Sequence, residues 1–489
     1  MNILIGSSEV QPFSKTGGLA DMVAALGKFL GRAGVRVRLV TPLYRGLIER
    51  HPEIRRTDRV VRVSIGGREE KAAIYEWEAS ENYTIEFIDH VHYFQRSGIY
   101  GERNEDYSDN AERFLFLTRV LLALSLESDW TPDLVHIHDW PLGLYPVLLR
   151  DVVARGKARR VPKTLCTIHN LAYQGIFPPD ELALTGLDAS YFTPSGIEYY
   201  GKLNFLKAGI VYADHVSTVS PAYADEILTS EYGCGLEGVL VGRERSLSGI
   251  LNGVDYTEWN TTSSNPHLKF AYTANRPGGK MREKKRLQHD LGLPVEGKVP
   301  LFGMISRLVE QKGVALLGEA LEQALNHRIQ FVCLGSGDPE LEAVLQTLEQ
   351  RFPDRVRVKI GYDVTLSHRI EAGSDFYLMP SRFEPCGLNQ MYSLRYGTIP
   401  IVHAAGGLRD SVVDSNEDNA RATGIKFEAF NSAALLEAIY RARRIYKRVE
   451  LFRAYRTRGM AADFSWERTA KAYLDLYRRV LEEGPAANP

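Results

Sequence analysis

Two short segments of the chain place positive charge where a phosphate group could bind. Residues 15–21 read Lys-Thr-Gly-Gly-Leu-Ala-Asp and stand between an apolar run and an amphipathic helix. Gly17 and Gly18 let the backbone approach a ligand closely, the helix start offers free N–H groups, and Lys15 adds a full charge. The spacing matches neither G-x-G-x-x-G nor a P-loop. The segment suits a diphosphate or its attached sugar, and a tight turn with a surface lysine is the alternative.

The second segment, residues 306–313, also joins a strand end to a helix start. Arg307 and Lys312 are separated by a turn, so both side chains could converge on one anion. Arginine would bind it through planar donors and lysine as a point charge. Two cations at the carboxyl end of a strand resemble a clamp for a leaving phosphate. Two unrelated exposed cations are the alternative.

Polar and aromatic residues follow several other predicted strands. His-Asp-Trp at 138–140 and Ile-His-Asn at 168–170 would place Asp139, His169 and Asn170 at strand ends, where they could bind a polyhydroxylated ligand. Glu384 comes just before a helix at another strand exit and could accept hydrogen bonds from sugar hydroxyls. It could equally be an ordinary acid stabilised by the helix dipole.

Metal and thiol chemistry are not predicted. We expect His136 to pack in the core and to face away from His138, so that no compact ligand set forms. Cys386 has no obvious partner base, which argues against a cysteine nucleophile. The four cysteines are at least 53 residues apart, which predicts neither a zinc or redox C-x-x-C pair nor a disulfide framework.

Residues 335–338 are predicted to form a turn that leads into a helix, with Asp338 as the residue that caps the helix.

The elements that position these residues alternate between strand and helix. Residues 2–7 form an apolar run, apolar residues recur every three or four positions over 19–30, and 35–40 form a second apolar run. This order is a βαβ unit, which implies a parallel sheet with its ligand crevice at the carboxyl ends of the strands. The further strands that we predict are 133–137, 164–168, 215–219, 299–306, 329–334, 356–360, 376–379 and 399–403.

The chain is long enough for more than one hydrophobic core, because it has 489 residues. The strands fall into two series that join near residue 252. We therefore predict an N-terminal domain at 1–251, a C-terminal domain at 252–462, and a C-terminal segment at 463–489 whose helix crosses back to the first domain.

Charge and composition exclude several classes of protein. Lys and Arg number 60 against 61 Asp and Glu, so no global field attracts nucleic acid or an anionic membrane. No basic residue precedes Lys15, and the most apolar stretch, 114–126, is too short to span a bilayer. These features predict an unprocessed cytoplasmic protein. The basic run 441–458, with eight Lys or Arg residues and one acid, is predicted to be a solvated helix rather than an anion site.

Taken in order, these motifs resemble those of the bacterial and plant-type glycogen and starch synthases. That family consists of retaining glucosyltransferases of the GT-B fold. The resemblance extends over nearly the whole chain and is carried by residues 15–21, 138–140, 167–170, 218–223, 251–255, 306–313, 335–338 and 381–388.

The resemblance implies a fold and an activity. The fold is α/β, with two doubly wound Rossmann-like domains facing across a cleft. The activity is that of a hexosyltransferase, which moves glucose from ADP-glucose to the non-reducing 4-OH of an α-1,4-glucan with retention of configuration. The family implies front-face attack. No metal or other cofactor is expected, because Arg307 and Lys312 can carry the neutralising charge. The family also implies ADP-glucose and glycogen or a maltooligosaccharide as partners, with no nucleic acid and no membrane.

The resemblance also assigns roles to residues of this chain. Tyr362 would stack on the base, and Tyr392 stands where related transferases often carry a second glutamate. The residues given a catalytic role are Arg307, Lys312, Glu384 and His169. Those expected to bind substrate are Lys15, Gly17, Gly18, Asp21, Asp139, Asn170, Asn252, Tyr362, Cys386, Gly387 and Leu388.

Two other functions are compatible with the residues. One is a retaining GT-B transferase that uses UDP-glucose or a different acceptor. The other is a nucleotide-sugar or glucan-binding protein without catalysis, although intact Lys15, Arg307, Lys312 and Glu384 argue against it.

Overall fold

The alternation of strands and helices builds two separate sheets in the computed structural model, which describes residues 1–102, 105–127, 129–156 and 161–483. Backbone contacts divide the chain into two α/β units. The first unit contains Met1–Val219, Ala224–Ile250 and the helix Trp466–Glu482. The second contains Ser220–Tyr223 and Leu251–Ser465. Both are Rossmann-like, which confirms the predicted fold class.

The first unit is organised around a nine-stranded sheet. Its central strands are parallel, beginning with the pairing of Asn2–Gly6 with both Arg36–Pro42 and Leu134–His138. Their carboxyl ends therefore lie along one edge of the sheet. The strands, in order across the sheet, are Leu247–Gly249, His215–Thr218, Lys163–Ile168, Leu134–His138, Asn2–Gly6, Arg36–Pro42, Tyr83–Asp89, Arg68–Ser80 and Arg55–Ile65.

The last two strands of that order form a hairpin that the sequence did not predict. Arg55–Ile65 pairs antiparallel with Arg68–Ser80, which pairs antiparallel with Tyr83–Asp89. Exposed and buried side chains alternate from Val60 to Ile65, as expected for a sheet edge that faces water on one side.

Helices pack on this sheet through apolar stripes. In Gly18–Arg32 the buried residues include Leu19, Met22, Val23 and Leu26, at the predicted spacing of three and four. The other helices of at least five residues are Asn110–Ser125, Tyr145–Ala154, Phe205–Tyr212, Pro221–Glu226, Glu237–Val241 and Trp466–Glu482. Four-residue helices occur at Leu47–Arg50, Val91–Phe94 and Leu182–Thr185, and short 3₁₀ turns at Trp140–Leu142, Pro179–Glu181, Ala189–Tyr191 and Glu244–Ser246. Two small sheets join Ile176–Phe177, Lys202–Asn204 and Glu198–Tyr199, and Gly101–Glu102 with Glu105–Asp106.

The helix Trp466–Glu482 packs against the first unit although it follows the second unit in sequence. Its Trp466 ring stacks on Phe29 with centroids 6.3 Å apart, and the Tyr477 hydroxyl lies 2.8 Å from His136 Nδ1. The residues just before this helix, 463–465, stay with the second unit because the Val254 N–H donates to the Phe464 carbonyl at 2.7 Å. The unit boundaries therefore fall at 250/251 and 465/466, whereas the sequence placed them at 251/252 and 462/463.

The second unit has a six-stranded sheet in which every pair is parallel. The strands, in order across the sheet, are Val356–Ile360, Gln330–Gly337, Leu301–Leu308, Phe376–Met379, Ile399–His403 and Ile425–Phe427. Its helices are Gly278–Asp290, Val314–Ala324, Pro339–Arg351, Val364–Gly373, Asn389–Arg395, Gly406–Ser411, Ser432–Lys447 and Val449–Ala461, with a 3₁₀ turn at Glu310–Lys312.

Both faces of this sheet are covered by apolar side chains. Phe331 and Cys333 belong to one buried cluster, whereas the alternate residues Val332 and Leu334 belong to another. Side chains alternate along a strand, so one strand supplies both cores. This pattern is the reason that the strands appear in the sequence as continuous apolar runs.

The basic run 441–458 folds as parts of two helices rather than one. Ile445 and Tyr455 are buried, while Arg444 faces outward and pairs with Glu437 at 2.6 Å. No helix among the described residues is long and apolar enough to cross a membrane.

Candidate functional site

The carboxyl edge of the second unit's sheet collects most of the predicted donor-side residues. The strand Leu301–Leu308 extends past the predicted end at 306 and carries Arg307, whose side chain is exposed. Its guanidinium forms no ion pair with any residue that the structure describes. Arg307 is therefore accessible to a ligand at this edge.

A tight turn places Lys312 beside the next strand exit. Gly313, with φ +67°, ends the turn, and a Cβ there would lie 2.0 Å from the Pro380 carbonyl oxygen. The Arg382 N–H donates to the Gln311 carbonyl at 2.8 Å, and Gln311 Nε2 donates to the Phe383 carbonyl at 3.0 Å. Only glycine fits this close approach in the left-handed region.

The turn brings Lys312 into contact with Glu384. Lys312 Nζ donates to Glu384 Oε2 at 2.5 Å, and Ser381 Oγ donates to the same oxygen at 2.9 Å. The side chains of Lys312 and Glu384 are 17% and 10% exposed, so the pair is largely removed from water but can be reached. We call Arg307, Lys312, Ser381 and Glu384 the second-unit cluster.

Asn252 and Cys386 lie together beside Glu384. The Asn252 backbone N–H lowers the pKa of the Cys386 thiol, but burial has the larger effect and raises that pKa to about 12. A neutral thiol is a poor nucleophile, which agrees with the sequence-based expectation. Asn252 Oδ1 is buried and accepts no hydrogen bond from the described residues, so this acceptor is available to a ligand.

The residues after Cys386 lead into a helix. Gly387 has φ +70°, and Leu388 caps the helix Asn389–Arg395. A Cβ on Gly407 would lie 2.0 Å from the Cys386 carbonyl oxygen, so the backbone at Cys386 is tightly enclosed. Gly387 and Leu388 therefore lie in the loop that joins the strand Phe376–Met379 to this helix.

Tyr362 lies two strands away at the same edge. It follows the strand Val356–Ile360 and is 86% exposed. Adjacent strands are ~4.8 Å apart, which puts the end of this strand about 10 Å from the end of Leu301–Leu308. The strand between these two, Gln330–Gly337, leads into the helix Pro339–Arg351. The predicted cap of that helix is confirmed, since Asp338 accepts from the Glu340 N–H at 2.8 Å.

Tyr392, at the position of the absent second glutamate, packs against an aromatic ring. Its ring stacks on Trp259 with centroids 3.7 Å apart and planes 4° from parallel. The other side of Trp259 is stacked on His368 at 4.1 Å. An aromatic column thus occupies the space beside the helix Asn389–Arg395.

In the first unit, Lys15 and Asp21 form a pair at the helix start. Lys15 Nζ lies 2.8 Å from Asp21 Oδ1, and the two side chains are 39% and 33% exposed. Gly17 is the N-cap and Gly18 the first residue of the helix, with no side chain near a Cβ on Gly17. Both charges and the free N–H groups remain accessible to a ligand.

Glu9 is a residue of this site that sequence reasoning missed. It is 2% exposed, and its carboxylate accepts from the Thr16 backbone N–H and, at 2.7 Å, from the Thr16 hydroxyl. The Tyr100 hydroxyl donates to the same carboxylate at 2.7 Å. Glu9 therefore fixes the loop that carries Lys15. The available signal was a single acid at the carboxyl end of the first strand.

Asp139 and His169 meet at neighbouring strand ends. Asp139 Oδ1 accepts from the His169 backbone N–H at 2.7 Å. Burial raises the pKa of the Asp139 carboxyl to about 7, and Glu9 adds to the rise. Asp139 also has φ +56°, a conformation that non-glycine residues adopt at a cost and that is frequent at functional sites.

His169 is linked to His138 through its ring. His138 Nδ1 lies 3.0 Å from His169 Nε2, and burial lowers the pKa of both imidazoles, to about 3 for His169. His138 Nε2 is buried with no partner among the described residues. An unpaired acceptor costs less than an unpaired N–H, so the proton of His138 belongs on Nδ1, which donates to His169. His169 then carries its own proton on Nδ1.

The expectation that His136 and His138 face opposite sides was wrong. Their ring centroids are 4.1 Å apart, because residues two positions apart on a strand share a face. The expectation that His136 is a core residue is confirmed. It is fully buried, and its ring nitrogens bond to Tyr477 and Thr167.

Asn170 completes the first-unit cluster, which we define as Glu9, Lys15, Asp139, His169 and Asn170, and Trp140 packs nearby. Asn170 Oδ1 accepts from the Ala172 N–H at 3.1 Å, which leaves its amide N–H₂ available. The Trp140 ring is packed edge-on against Phe114 at 4.9 Å. Among the described residues, no group of three or more His, Cys, Asp or Glu side chains could hold a metal ion.

Comparison with known proteins agrees with this geometry. The family described as "Starch synthase catalytic domain" matches residues 2–242, and "Glycosyl transferases group 1" matches residues 288–455. A glycogen synthase of Anaeromyxobacter sp. (strain Fw109-5) is 47% identical over 482 residues, which are 98% of this chain and 99% of that one. The chain belongs to the glycogen and starch synthase family. It is therefore a hexosyltransferase.

Other members of the glycogen and starch synthase family match over the same length. A glycogen synthase of Syntrophotalea carbinolica is 41% identical, with 99% of each chain covered. The catalytic domain of starch synthase IV from Arabidopsis thaliana, solved with ADP and acarbose bound, has a TM-score of 0.89 at 36% identity and 99% coverage of each chain. A sucrose-phosphate synthase from Thermosynechococcus elongatus shares only the fold, with a TM-score of 0.62 at 18% identity and 98% coverage of each chain.

Proposed function

We propose that this synthase transfers glucose from ADP-glucose to the non-reducing 4-OH of an α-1,4-glucan and retains the α configuration. The observation that carries the proposal is the second-unit cluster. An ion-paired lysine and carboxylate lie at the carboxyl edge of the parallel sheet that also carries the exposed Arg307. Ligands of open α/β sheets bind at that edge. The related starch synthase IV was solved with ADP bound, which supports an adenine nucleotide as donor.

The proposed chemistry assigns charge stabilisation to two cations. As the bond between glucose C1 and the diphosphate oxygen breaks, negative charge grows on that oxygen. Arg307 and Lys312 would bind it more tightly in the transition state than in the ground state, which accelerates the step. The acceptor 4-OH forms the new bond to C1 from the same face, and its proton passes to the leaving diphosphate.

Glu384 is assigned to substrate binding rather than to nucleophilic attack. Its Oε2 already accepts from both Lys312 and Ser381, which lowers its reactivity toward C1. Its other oxygen has no partner among the described residues and would accept from a glucose hydroxyl. Asn252 Oδ1, buried and unpaired, would accept from a second hydroxyl.

The remaining substrate contacts are assigned by the chemistry of each group. Tyr362 would stack on the adenine ring, since its side chain is almost fully exposed. In the first-unit cluster, the His169 Nδ1–H and the Asn170 amide would donate to hydroxyls of the glucan. Lys15 would supply positive charge to an anionic substrate group.

No metal or other cofactor takes part in the proposed reaction, because two side-chain cations supply the neutralising charge. We also propose a cytoplasmic location, since all four cysteines are unpaired, as is usual in a reducing compartment.

The proposal is tested by supplying ¹⁴C-labelled ADP-glucose and UDP-glucose separately with glycogen and counting label in the polymer. We expect incorporation from ADP-glucose to exceed that from UDP-glucose, with the label released by an α-1,4-specific amylase. Preference for UDP-glucose would reassign the donor. Binding of both nucleotides without any incorporation would identify a non-catalytic protein and overturn the proposal.

A further inference from the structure

A cavity of about 360 Å³ lies in the second unit, at the edge of the sheet opposite to Arg307. It is lined by the loop 296–300, Arg328, Arg443, Tyr446 and Lys447. The loop 296–300 leads into the amino end of the strand Leu301–Leu308, whereas Arg307 stands near its carboxyl end. We call this cavity the basic pocket.

The basic pocket carries an excess of positive charge. Four cations line it, Lys298, Arg328, Arg443 and Lys447, against one acid, Glu296, which pairs with Arg328. No carboxylate in the described part of the chain forms an ion pair with the other three. The helix dipole at the end of Ser432–Lys447 supplies only about half a negative charge, so it does not neutralise them.

Two arginines on the same helix, Arg441 and Arg444, have carboxylate partners, in contrast to Arg443 and Lys447. Arg441 Nη2 lies 2.7 Å from Asp414 Oδ1, and Arg444 Nη2 lies 2.6 Å from Glu437 Oε1. Arg443 and Lys447 lie on the same helix, yet they point into the cavity without a counter-charge. The sequence-based expectation of a solvated helix therefore describes only part of this run.

Buried groups hold the floor of the pocket in place. Lys284, which is 1% exposed, donates to Asp375 Oδ2 at 2.5 Å, to the Val299 carbonyl at 2.5 Å and to the Tyr446 hydroxyl at 3.1 Å. The Tyr446 hydroxyl in turn donates to the Gly297 carbonyl at 3.0 Å. These bonds fix both the loop and the tyrosine, so the pocket is preformed.

We propose that the basic pocket binds a small phosphorylated metabolite, a phosphate or diphosphate ester of sugar size. Arg443 would offer planar paired donors to phosphate oxygens, and Lys298 and Lys447 would add point charges. The volume lies at the lower end of small-molecule sites, which favours a compact ligand. The eight-residue strand separates the pocket from Arg307 by roughly 23 Å, so its ligand would not compete with the donor.

The test measures binding of inorganic pyrophosphate by isothermal titration calorimetry in 0.15 M NaCl. All proteins carry Arg307→Gln, which weakens the proposed donor site and leaves the pocket intact. The pocket variant adds Arg443→Gln and Lys447→Gln. The matched control adds Arg444→Gln and Arg448→Gln, which remove the same charge from the same helix end outside the pocket. Melting curves verify that all three proteins are folded.

We expect the pocket variant to bind pyrophosphate at least tenfold more weakly than the Arg307→Gln parent, and the control to stay within twofold of it. Equal weakening in pocket variant and control would show attraction by net charge alone and overturn the proposal. Unchanged binding in the pocket variant would also overturn it. Because catalysis is not measured, these outcomes are independent of the proposed transferase activity.

Discussion

Lys312 Nζ lies 2.5 Å from Glu384 Oε2, so two residues assigned separate roles from the sequence are each other's counter-charge. They are 72 positions apart in the chain. The ion pair neutralises a carboxylate that is 10% exposed, and it fixes the ammonium that the proposed mechanism aims at the leaving diphosphate. Under the proposed mechanism, stability and catalysis are therefore coupled at this contact.

Lys312→Ala is expected to lose both turnover and stability. The variant leaves the Glu384 carboxylate buried with only Ser381 as a donor among the described residues. We expect a loss of about 1–3 kcal/mol in the free energy of unfolding, measured with urea. Removal of the cation should also lower kcat by about 10²–10³.

The double variant Lys312→Ala/Glu384→Gln separates these two effects. The neutral amide no longer needs a counter-charge, so stability should return toward that of the wild type while turnover stays low. Full turnover in either variant would show that Lys312 is not part of the catalytic machinery.

Tyr362→Ala should weaken the binding of ADP-glucose without affecting the fold. Its ring is 86% exposed, so its removal should leave the melting temperature unchanged. Stacking on a base is worth about 1–3 kcal/mol, which predicts a KM for ADP-glucose raised by about 5- to 150-fold. The KM for glycogen should change little. A larger rise in the glycogen KM would place the acceptor, rather than the donor base, at this strand end.

Asp139→Asn should change how stability depends on pH. The folded protein keeps the Asp139 proton up to about pH 7, whereas the unfolded chain releases it near pH 3.8. The free energy of unfolding of the wild type therefore falls as pH rises between these values, by about 1.4 kcal/mol per pH unit. The amide avoids this loss and can still accept from the His169 N–H. We expect the variant to gain about 2–3 kcal/mol on the wild type between pH 5 and pH 7. Parallel curves would show that the carboxyl is already ionised at pH 5.

Chelation should leave activity essentially unchanged. Arg307 and Lys312 supply two positive charges to the proposed leaving group, which is the role that a divalent ion fills in other transferases. Initial rates with and without millimolar EDTA, after dialysis against the chelator, give the measurement. A loss of activity that Mg²⁺ or Mn²⁺ restores would require a metal in the reaction.

The buried parallel strands could be predicted because each is a short, continuous run of mostly apolar residues. Residues 356–360, 376–379 and 399–403 form the strands Val356–Ile360, Phe376–Met379 and Ile399–His403, with the bounds expected from apolar runs. The hairpin Arg55–Ser80 was missed because one face of it is solvated, so its charged residues masked the alternation. The local sequence pattern therefore predicts the central strands of a sheet better than its edge strands.

Contacts between distant residues could not be read from the sequence. Residue types at strand ends indicated Lys312, Glu384, Asp139 and His169, but not which of them touch. Those contacts depend on the register of neighbouring strands and on turns such as the one at Gly313, which a single sequence does not specify. Glu9 was missed for the same reason.

We expect His138 to position the ring of His169. Replacing His138 with Phe removes both imidazole nitrogens and keeps an aromatic ring at this position. His138→Phe deletes the donor 3.0 Å from His169 Nε2, so His169 can place its proton on either nitrogen. Stability should change little, because the variant also removes the buried, unpaired Nε2. Turnover should fall about 10- to 100-fold if the Nδ1–H of His169 orients substrate. His138→Asn supplies an amide N–H near the position of Nδ1 and should recover most of the activity. ¹⁵N chemical shifts of His169 should show the Nδ1–H tautomer in the wild type and His138→Asn, and a mixture in His138→Phe. An Nε2–H tautomer in the wild type would reverse the direction of this hydrogen bond and remove the positioning role.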